Sequence, residues 1–344
     1  MSIVSPQKVF VGLDYHSQSV QVCVLNEQGK VLVNRSCDND WEKIATAVER
    51  WTGPGKTSVQ GAIEACCGAA NLAEELMNKA GWCVNMAHPG YVNRMKQNPD
   101  KTDFGDARML ADLERVGYLP RVWIAPEEVR ELRRLVRYRN QLAGERRNLK
   151  LRIRALLREG RIAMPNCTAW SKLWLACLGQ QAPLSEQTRW VVDRQLARLK
   201  TLQTEIKEVE QRLEEVSRSD DQVQRLLAQP GIGLITAVTI RAEIGRFDRF
   251  RSGKQLSHFC GLSPRNASSG QKQADAGLIK TGNRELRTVL IEAAHRLARY
   301  DERWNKLSCQ LRARGKKGSV VAAAIANRWV RKLHHQMQTE ALAV

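Results

Sequence analysis

The order of β-rich and helical stretches over the first 120 residues most strongly limits the fold of this chain. Three short β-rich runs, separated by turn residues, come first at 8–14, 19–25 and 30–36. A helical stretch follows at 40–51, and strands at 58–64 and 82–88 then alternate with helices at 69–81 and 103–117. Three consecutive strands followed by alternation predict a mixed sheet with helices on its faces. In such a sheet the first and fourth strands can lie side by side.

Four acidic residues stand at the ends of these predicted elements. Asp14 ends the first strand, Glu64 ends the fourth, and Asp103 and Asp106 open the helix at 103–117. The helix pair also fits ordinary first-turn acids or an N-cap, since carboxylates complement the positive end of a helix dipole. Together with Asp14 and Glu64, however, the pair predicts four carboxylates converging at one sheet edge. This placement indicates a ribonuclease-H-like nuclease fold.

Crowded carboxylates repel one another unless a cation neutralises them. Hard oxygen ligands favour Mg²⁺, with Mn²⁺ as an alternative. Two such ions can stabilise both the attacking and the leaving oxygen of a phosphoryl transfer. The predicted cofactor is therefore a divalent metal ion held by Asp14, Glu64, Asp103 and Asp106.

Charge divides the chain at about residue 125. Residues 1–125 hold 13 basic and 14 acidic side chains, whereas the remainder holds 42 basic and 22 acidic ones. A near-neutral first part and a strongly basic remainder predict a catalytic module carried by a body that binds a polyanion. A basic protein with no nucleic-acid partner is the alternative. The predicted domains are 1–125, 126–220 and 221–344.

Two long helices are predicted in the middle region. The first, at 127–161, has leucines every seven residues at Leu135, Leu142, Leu149 and Leu156, and carries twelve Lys or Arg against five Glu. The second, at 186–217, has apolar residues spaced by alternating threes and fours. These heptads predict a coiled-coil arm, either antiparallel or between subunits, with two helices of an ordinary bundle as the alternative. The arm residues expected to bind nucleic acid are Arg146, Arg147, Lys150 and Arg154.

The last region is predicted to be mainly helical, with two motifs. The segment PGIG at 230–233 resembles a helix-hairpin-helix, in which Gly231 and Gly233 let backbone N–H groups approach a phosphate; a plain tight turn is the alternative. The loop at 261–287 places Ser268, Ser269 and Gly270 among basic residues. Composition alone describes this segment as a flexible loop, but clustered cations can also offset charge on a phosphoryl group. The basic residues concerned are Arg265, Lys272, Lys280, Arg284 and Arg287, and Lys101 is a further candidate before the acidic pair.

Several segments together resemble a known family. VFVGLDYHSQSVQVCVL, AIEACCG and DKTDFGDARMLADLERVGYLP are similar to the DEDD, RuvC-like domain of the insertion-sequence one-ten transposases, in their eleven-eleven branch. FCGLSPRNASSG with GLIKTGNRELRTVLIEAA is similar to the C-terminal domain of the same proteins. The family's four acids fall on Asp14, Glu64, Asp103 and Asp106. Its catalytic serine falls on Ser269, with Ser268 as the adjacent possibility.

The resemblance implies an RNA-guided DNA recombinase. Ser269 would form a covalent phosphoserine with DNA, and the DEDD site would supply metal ions to the same reaction. The implied partners are donor and target DNA, a non-coding bridge RNA, and further copies of the chain in a dimer or tetramer. In the family the two sites are brought together between subunits of such a multimer, and a coiled-coil arm would suit that assembly.

Two other functions fit the residues. A structure-selective nuclease such as a Holliday-junction resolvase would use the four acids alone, and a non-catalytic nucleic-acid-binding protein would use neither site. Nine scattered cysteines without a C-x-x-C pair predict reduced thiols and no zinc site. With no apolar run long enough to span a membrane and no signal-peptide pattern, we expect a cytoplasmic prokaryotic protein, associated with the nucleoid when active.

Overall fold

The structure is a computed structural model that describes residues 7–52, 57–95, 102–180, 182–266, 275–279 and 282–339. The chain forms two compact units, 1–125 and 126–344. The first contains a mixed α/β sheet and the second is mostly helical. These two broad fold predictions are therefore confirmed, while the division of the second unit at residue 220 stays a prediction.

The first unit follows the predicted order of strands and helices and adds two short elements. Its elements are β1 (Gln7–Tyr15), β2 (Ser19–Leu25), β3 (Val31–Asp38), α1 (Trp41–Thr52), β4 (Thr57–Glu64), α2 (Ala69–Ala80), β5 (Cys83–Ala87), α3 (Pro89–Met95), α4 (Asp103–Arg115) and β6 (Arg121–Val122). Gly81 ends α2 with a positive φ of 70°, which glycine adopts without a steric penalty. The sequence did not predict α3 or β6, which are seven and two residues long.

The sheet has the order β3-β2-β1-β4-β5-β6. β1 pairs antiparallel with β2 and parallel with β4, so the first and fourth strands are neighbours, as predicted. β5 is parallel to β4, and the edge strands β3 and β6 are antiparallel to their neighbours. Leu13 lies opposite Ile63, so the residues that follow them, Asp14 and Glu64, stand at the same edge of the sheet.

Alternating side chains of the central strands fill two cores, one on each face of the sheet. Val9, Val11 and Leu13 of β1 pack in a fully buried cluster with α1 and α2. Phe10 of β1 faces the other way and packs with Ala107 and Ala111 of α4. Burial on both faces explains why β1, β2 and β4 are rich in apolar residues.

The second unit contains nine helices and one hairpin among its described residues. These elements are α5 (Glu127–Glu159), α6 (Lys172–Gln180), α7 (Glu186–Ser217), α8 (Asp221–Leu227), α9 (Leu234–Ile244), α10 (Gly253–Phe259), β7 (Pro264–Asn266), β8 (Asp275–Leu278), α11 (Arg284–Tyr300), α12 (Glu302–Ala313) and α13 (Gly318–Thr339). The two long helices α5 and α7 have nearly the predicted bounds. α6 lies between the two predicted long helices and was not predicted.

α5 and α7 pack along each other in opposite directions. Leu142 and Leu149 of α5 share a buried cluster with Leu199, Leu202 and Ile206 of α7. Two cross-helix ion pairs continue the contact, Arg139 Nη2 to Glu210 Oε1 at 2.6 Å and Arg198 Nη2 to Glu145 Oε2 at 3.5 Å. The heptad leucines therefore lie in a contact within one chain. Coiled-coil geometry stays a prediction.

α8 to α13 enclose the second unit's largest core. α9 is buried over almost its whole length and packs against α11, which in turn packs against α13. β7 and β8 form an antiparallel hairpin that is connected to α11. Residues 267–274, between the two strands, lie outside the described residues.

Candidate active site

The candidate active site lies where β1 and β4 end and α4 begins. Asp14 is the penultimate residue of β1, and Glu64 is the last residue of β4. Both are half-buried at the edge of the sheet. The parallel pairing of β1 with β4 fixes their relative height, because Leu13 and Ile63 are paired immediately before them.

The start of α4 is held by side chains from its own first turn and from β3. Thr102 is the N-cap, and its Oγ1 accepts a hydrogen bond from Gly105 N at 3.2 Å. Asn34 of β3 donates from Nδ2 to Phe104 O at 2.9 Å. Asp103 and Asp106 therefore occupy the first turn of a capped helix that is anchored to the sheet. This position fits both interpretations of the pair, as first-turn acids that complement the helix dipole and as metal ligands, because both require carboxylates at the start of the helix.

The closest approach of α4 to the sheet occurs at Gly12. A Cβ on Gly12 would lie 1.8 Å from Ala107 O and 2.7 Å from Ala111 N. Real atoms do not approach this closely, so only glycine allows the helix to lie directly on β1. Gly12 was not predicted from the sequence as a contact residue, although a glycine inside a strand pattern is a known signal of close backbone approach.

His16 connects the strand acid to the helix acid. Its Nε2 lies 3.4 Å from Asp14 Oδ2 and 3.3 Å from Asp103 Oδ2. The backbone holds the His16 position, since His16 N donates to Ser19 O at 2.9 Å and Asn39 Nδ2 donates to His16 O at 2.9 Å. His16 was also missed from the sequence. Its spacing of two residues from Asp14 was the available signal.

These groups fit a divalent cation. Among the described residues, one set of potential metal ligands converges: Asp14, His16 and Asp103, with ligand atoms all within 4.8 Å of one another. Carboxylate oxygens are the hard donors that Mg²⁺ and Mn²⁺ prefer, and an imidazole nitrogen is more compatible with Mn²⁺. Two of the four predicted positions, Asp14 and Asp103, thus lie close together in the structure. The full four-acid ligand set stays a prediction.

The negative charge at this edge of the sheet affects the pKa of a neighbouring thiol, Cys66. Desolvation raises the pKa of Cys66 above its ordinary value, and the charges of Glu64 and Asp14 raise it further. Both carboxylates therefore act electrostatically on one group two residues beyond β4. This is the effect expected when acids from adjacent strands are concentrated at one place.

The predicted nucleophile lies outside the described residues. The same holds for four other predicted site residues or alternatives: Lys101, Ser268, Lys272 and Lys280. The two ends of the loop that carries the serines are nevertheless held close together, because a Cβ on Gly282 would lie 2.2 Å from Gly261 Cα. Arg287 donates from Nη1 to Ile279 O at 3.3 Å, which stabilises the second end of that loop. Arg265 on β7 and Arg284 at the start of α11 are exposed.

The PGIG segment connects α8 to α9. Gly231 has a positive φ of 79°, and a Cβ there would lie 2.9 Å from Leu297 Cδ2. Gly231 thus has a structural reason to be glycine. A Cβ on Gly233 would meet nothing within 4 Å, so the backbone before α9 is open to an approaching group.

The four predicted arm cations are distributed around α5. Arg147 and Arg154 are exposed, and Arg146 is half-buried. Lys150 Nζ lies 5.1 Å from the centroid of the Trp170 ring. Desolvation lowers the pKa of Lys150, and the charge of Arg146 lowers it further. Arg147 and Arg154 are therefore the members most accessible to a polyanion.

Comparison with known proteins identifies the family to which the chain belongs. Residues 11–161 match a DEDD family model described as a transposase, and residues 223–309 match one described as a transposase of the IS116/IS110/IS902 family. A probable family 20 transposase of Pseudomonas aeruginosa is 32% identical over 79% of this chain and 82% of its own length. The chain belongs to the IS110/IS116 family of insertion-sequence transposases. The first matched region contains Asp14, Glu64, Asp103 and Asp106.

Two further relatives extend the comparison over most of the chain. The transposase for insertion sequence element IS1111A of Coxiella burnetii is 28% identical over 92% of this chain and 86% of its own length. The transposase for insertion sequence element IS1328 of Yersinia enterocolitica is 28% identical over 78% of this chain and 81% of its own length. Family membership implies a DNA transposase with DNA substrates, and a DEDD transposase is expected to depend on a divalent metal. Within the described residues, no helix is long and apolar enough to cross a membrane.

Proposed function

We propose that this transposase is an RNA-guided DNA recombinase that cuts and rejoins strands through a covalent phosphoserine. In this proposal, residues 1–125 form a RuvC-like catalytic domain, 126–220 form a basic coiled-coil arm, and 221–344 form the domain that carries the nucleophile. The partners are donor and target DNA, a bridge RNA, and further copies of the chain in a dimer or tetramer. Mg²⁺ is the expected metal ion, and Mn²⁺ is the expected substitute.

One observation supports the metal-dependent part above all others. His16 Nε2 lies within 3.4 Å of a carboxylate from β1 and 3.3 Å of a carboxylate from α4. Two separate elements thus present acids to a space small enough for one cation. Glu64 stands beside Asp14 at the same edge, and Asp106 lies one turn into α4.

The residues have distinct roles in the proposed reaction. Asp14, Glu64, Asp103 and Asp106 hold the metal, which when bound stabilises negative charge on a phosphoryl group. The Ser269 hydroxyl attacks the phosphorus, a serine O–P bond forms, and one P–O bond to a sugar breaks. The serine proton is transferred to the released sugar oxygen. A hydroxyl of another strand then attacks the phosphoserine and restores the serine, so rejoining needs no outside energy source.

Sequence recognition is assigned to the bridge RNA. Base pairing then selects donor and target, while the protein reads backbone and shape. The strongly basic second part of the chain, including Arg147 and Arg154 on the exposed surface of α5, is compatible with such backbone recognition. Sequencing RNA that co-purifies with the protein from its native host tests this part. Absence of any enriched non-coding RNA would contradict it.

A trapping experiment tests the nucleophile. Protein is incubated with labelled donor and target DNA, guide RNA and Mg²⁺, and the products are separated by denaturing electrophoresis. Wild type should give a shifted band whose modified peptide contains Ser269. Ser269→Ala should give neither adduct nor recombined product, whereas the matched variant Ser268→Ala should retain activity.

Three outcomes would contradict the assignment. An adduct on Ser268 would move the nucleophile by one residue, and full recombination by Ser269→Ala would remove it. Strand cleavage by Ser269→Ala at the wild-type rate would instead favour a resolvase-like nuclease, in which water is directed at the phosphate by the acids alone.

A further inference from the structure

A basic cleft separates α12 from α13 in the second unit. Its volume is about 650 Å³, and it lies on the surface rather than inside the core. Its lining residues are Arg303, Trp304 and Leu307 from α12, with Arg328, Arg331, Lys332, His335 and Gln336 from α13. We call this feature the α12–α13 cleft. None of its basic residues belongs to the motifs identified in the sequence.

The four Arg and Lys side chains of the cleft have no ion-pair partner in the described part of the chain. No acid in the described part of the chain lines the cleft, and the described residues of α13 contain no Asp or Glu. Glu302, at the start of α12, is already paired with Lys306 at 2.7 Å. The cleft therefore carries a formal charge of about +4, counting each Arg and Lys as +1, that no acid among the described residues neutralises.

This spacing of charge is unfavourable for the isolated helix. Arg328 stands three residues before Arg331 and four before Lys332, so all three cations share one face of α13. Like charges at these separations repel and reduce helix stability. A bound polyanion would remove that repulsion. The three like charges on this face of α13 therefore reduce helix stability in the free protein, and a bound polyanion would stabilise the helix.

The cleft also leads toward the β7–β8 hairpin. Arg328 lines a second, more apolar cavity of about 440 Å³, whose other walls include Pro264 of β7 and Leu278 of β8. One guanidinium therefore lies at the border between the basic cleft and the hairpin that precedes α11. A strand that follows the cleft past Arg328 would reach this hairpin.

We propose that the α12–α13 cleft binds the phosphodiester backbone of a nucleic-acid strand and guides it toward the β7–β8 hairpin. This inference rests on the proposed function in taking nucleic acid as the ligand, but it assigns a binding site that the four acids and Ser269 do not require. Arg328, Arg331 and Lys332 contact phosphate oxygens, and the two guanidinium groups can each do so in a bidentate manner. Arg303 contacts the same backbone from the opposite wall.

The chemistry of the walls favours backbone over base recognition. Trp304 is only 3% exposed, and the Arg303 guanidinium lies 5.2 Å from the centroid of its ring. The aromatic face is therefore not available to stack on a base. Arg and Lys side chains that bind phosphates carry no sequence information, and among the lining residues His335 is the one exposed ring. The cleft should consequently bind strands of different sequence with similar affinity.

The test measures how affinity depends on salt. Full-length protein carrying Asp14→Ala is titrated in EDTA with a labelled DNA duplex and, separately, with a folded RNA hairpin, so that no cleavage intervenes. The test variant adds Arg328→Gln, Arg331→Gln and Lys332→Gln. The matched control adds Lys30→Gln, Lys43→Gln and Lys79→Gln, which removes the same charge from the first unit.

The cleft variant should bind at least about tenfold more weakly at low salt, with a log-affinity versus log-salt slope shallower by about two to three. The lysine control should keep the wild-type slope. Weaker binding of the DNA duplex alone would identify DNA as the ligand of the cleft, and weaker binding of the RNA hairpin alone would identify RNA. An unchanged slope with both probes, or an equal change in the control, would overturn the proposal. The proposal would also be overturned if polyglutamate competed for the cleft as effectively as nucleic acid does.

Two additional measurements keep the result interpretable. The thermal midpoint of the cleft variant should equal or exceed that of the parent, because repulsion between like charges is removed. Lys332→Gln alone, at an exposed position, should reduce the slope by about one, which is the value for one phosphate contact. Binding is measured without metal in a variant that lacks Asp14, so it does not depend on catalysis. Loss of recombination would therefore contradict the proposed function, whereas an unchanged salt slope would contradict only the α12–α13 cleft as a binding site.

Discussion

The carbonyl oxygen of Ala107 in α4 lies directly over Gly12 in β1, where a Cβ would be only 1.8 Å away. This contact fixes how far the helix stands from the strand. Asp14 lies two residues after Gly12, and Asp103 lies one turn before Ala107. The separation between the two acids, and hence the size of the space between them, is therefore set by a residue that has no functional group.

Gly12→Ala should displace α4 and move Asp103 away from Asp14. We expect loss of metal-dependent strand cleavage and a decrease of about 1–3 kcal/mol in the free energy of unfolding, the usual effect of overpacking. Gly144→Ala is the control, since a Cβ there meets nothing within 4 Å and alanine is favoured inside α5. Urea unfolding and a cleavage assay measure both effects. Wild-type stability and activity in Gly12→Ala would show that α4 does not depend on this contact.

Removing single acids should abolish catalysis without preventing nucleic-acid binding. Asp14→Ala, Glu64→Ala and Asp106→Ala should each reduce recombination by at least about a hundredfold, because each is expected to hold metal rather than substrate. Asp112→Ala is the matched control on α4, where Asp112 forms a half-buried pair with Arg115 at 2.7 Å. A variant that recombines DNA like wild type in Mg²⁺ would exclude its residue from the metal site.

His16→Ala should make the protein more dependent on metal for stability. Without the ring, the carboxylates of Asp14 and Asp103 lose the group that lies between them, so the thermal midpoint in EDTA should fall. The effect should be about 1 kcal/mol or less, because both His16 and Asp103 are about half exposed. Mg²⁺ should raise the midpoint more in the variant than in wild type, because the carboxylates rather than the imidazole nitrogen are the ligands that Mg²⁺ prefers. An equal increase in both proteins would mean that His16 has no part in balancing the two charges.

The sequence predicted the sheet edge well because periodicity and turn residues report local structure directly. The β-rich runs of β1 and β2, the turn residues that separate them and the position of Asp103 at a helix start all depend on neighbours in the chain. Gly12 and His16 were missed for the opposite reason. Their importance arises from contacts with α4, about 90 residues further along the chain for each, and one strand glycine or one histidine does not specify such a partner.

In the second unit, too, local features were predicted from the sequence, whereas contacts between distant residues were not. Heptad spacing predicted the bounds of α5 and α7 closely, but it left open whether the seam forms within a chain or between chains. The structure places Leu142 and Leu149 against α7 of the same chain. Short elements such as β6 were not predicted, because two residues, Arg121 and Val122, are too few for any periodic pattern.

The last prediction concerns a buried acid in the second unit. Glu243 of α9 is 3% exposed and accepts hydrogen bonds from Arg137 of α5 at 3.0 and 3.2 Å. It also accepts one at 2.8 Å from Asn283, whose own side chain caps α11. Arg133 Nε lies 3.8 Å from the same carboxylate, and burial lowers the pKa of that guanidinium while Glu243 raises it.

Glu243→Ala should destabilise the protein by about 3–5 kcal/mol, because it leaves the partly buried charge of Arg133 without its counter-charge and the Asn283 cap without its support. The control is Glu302→Ala, which breaks the exposed pair with Lys306 at 2.7 Å and should cost less than about 1 kcal/mol. Urea unfolding followed by circular dichroism gives both values. Because Asn283 caps α11 at the end of the connection from the β7–β8 hairpin, Glu243→Ala should also reduce formation of the Ser269 adduct, whereas Glu302→Ala should not. Equal destabilisation by the two variants would show that the Glu243 contacts contribute no more than a surface ion pair.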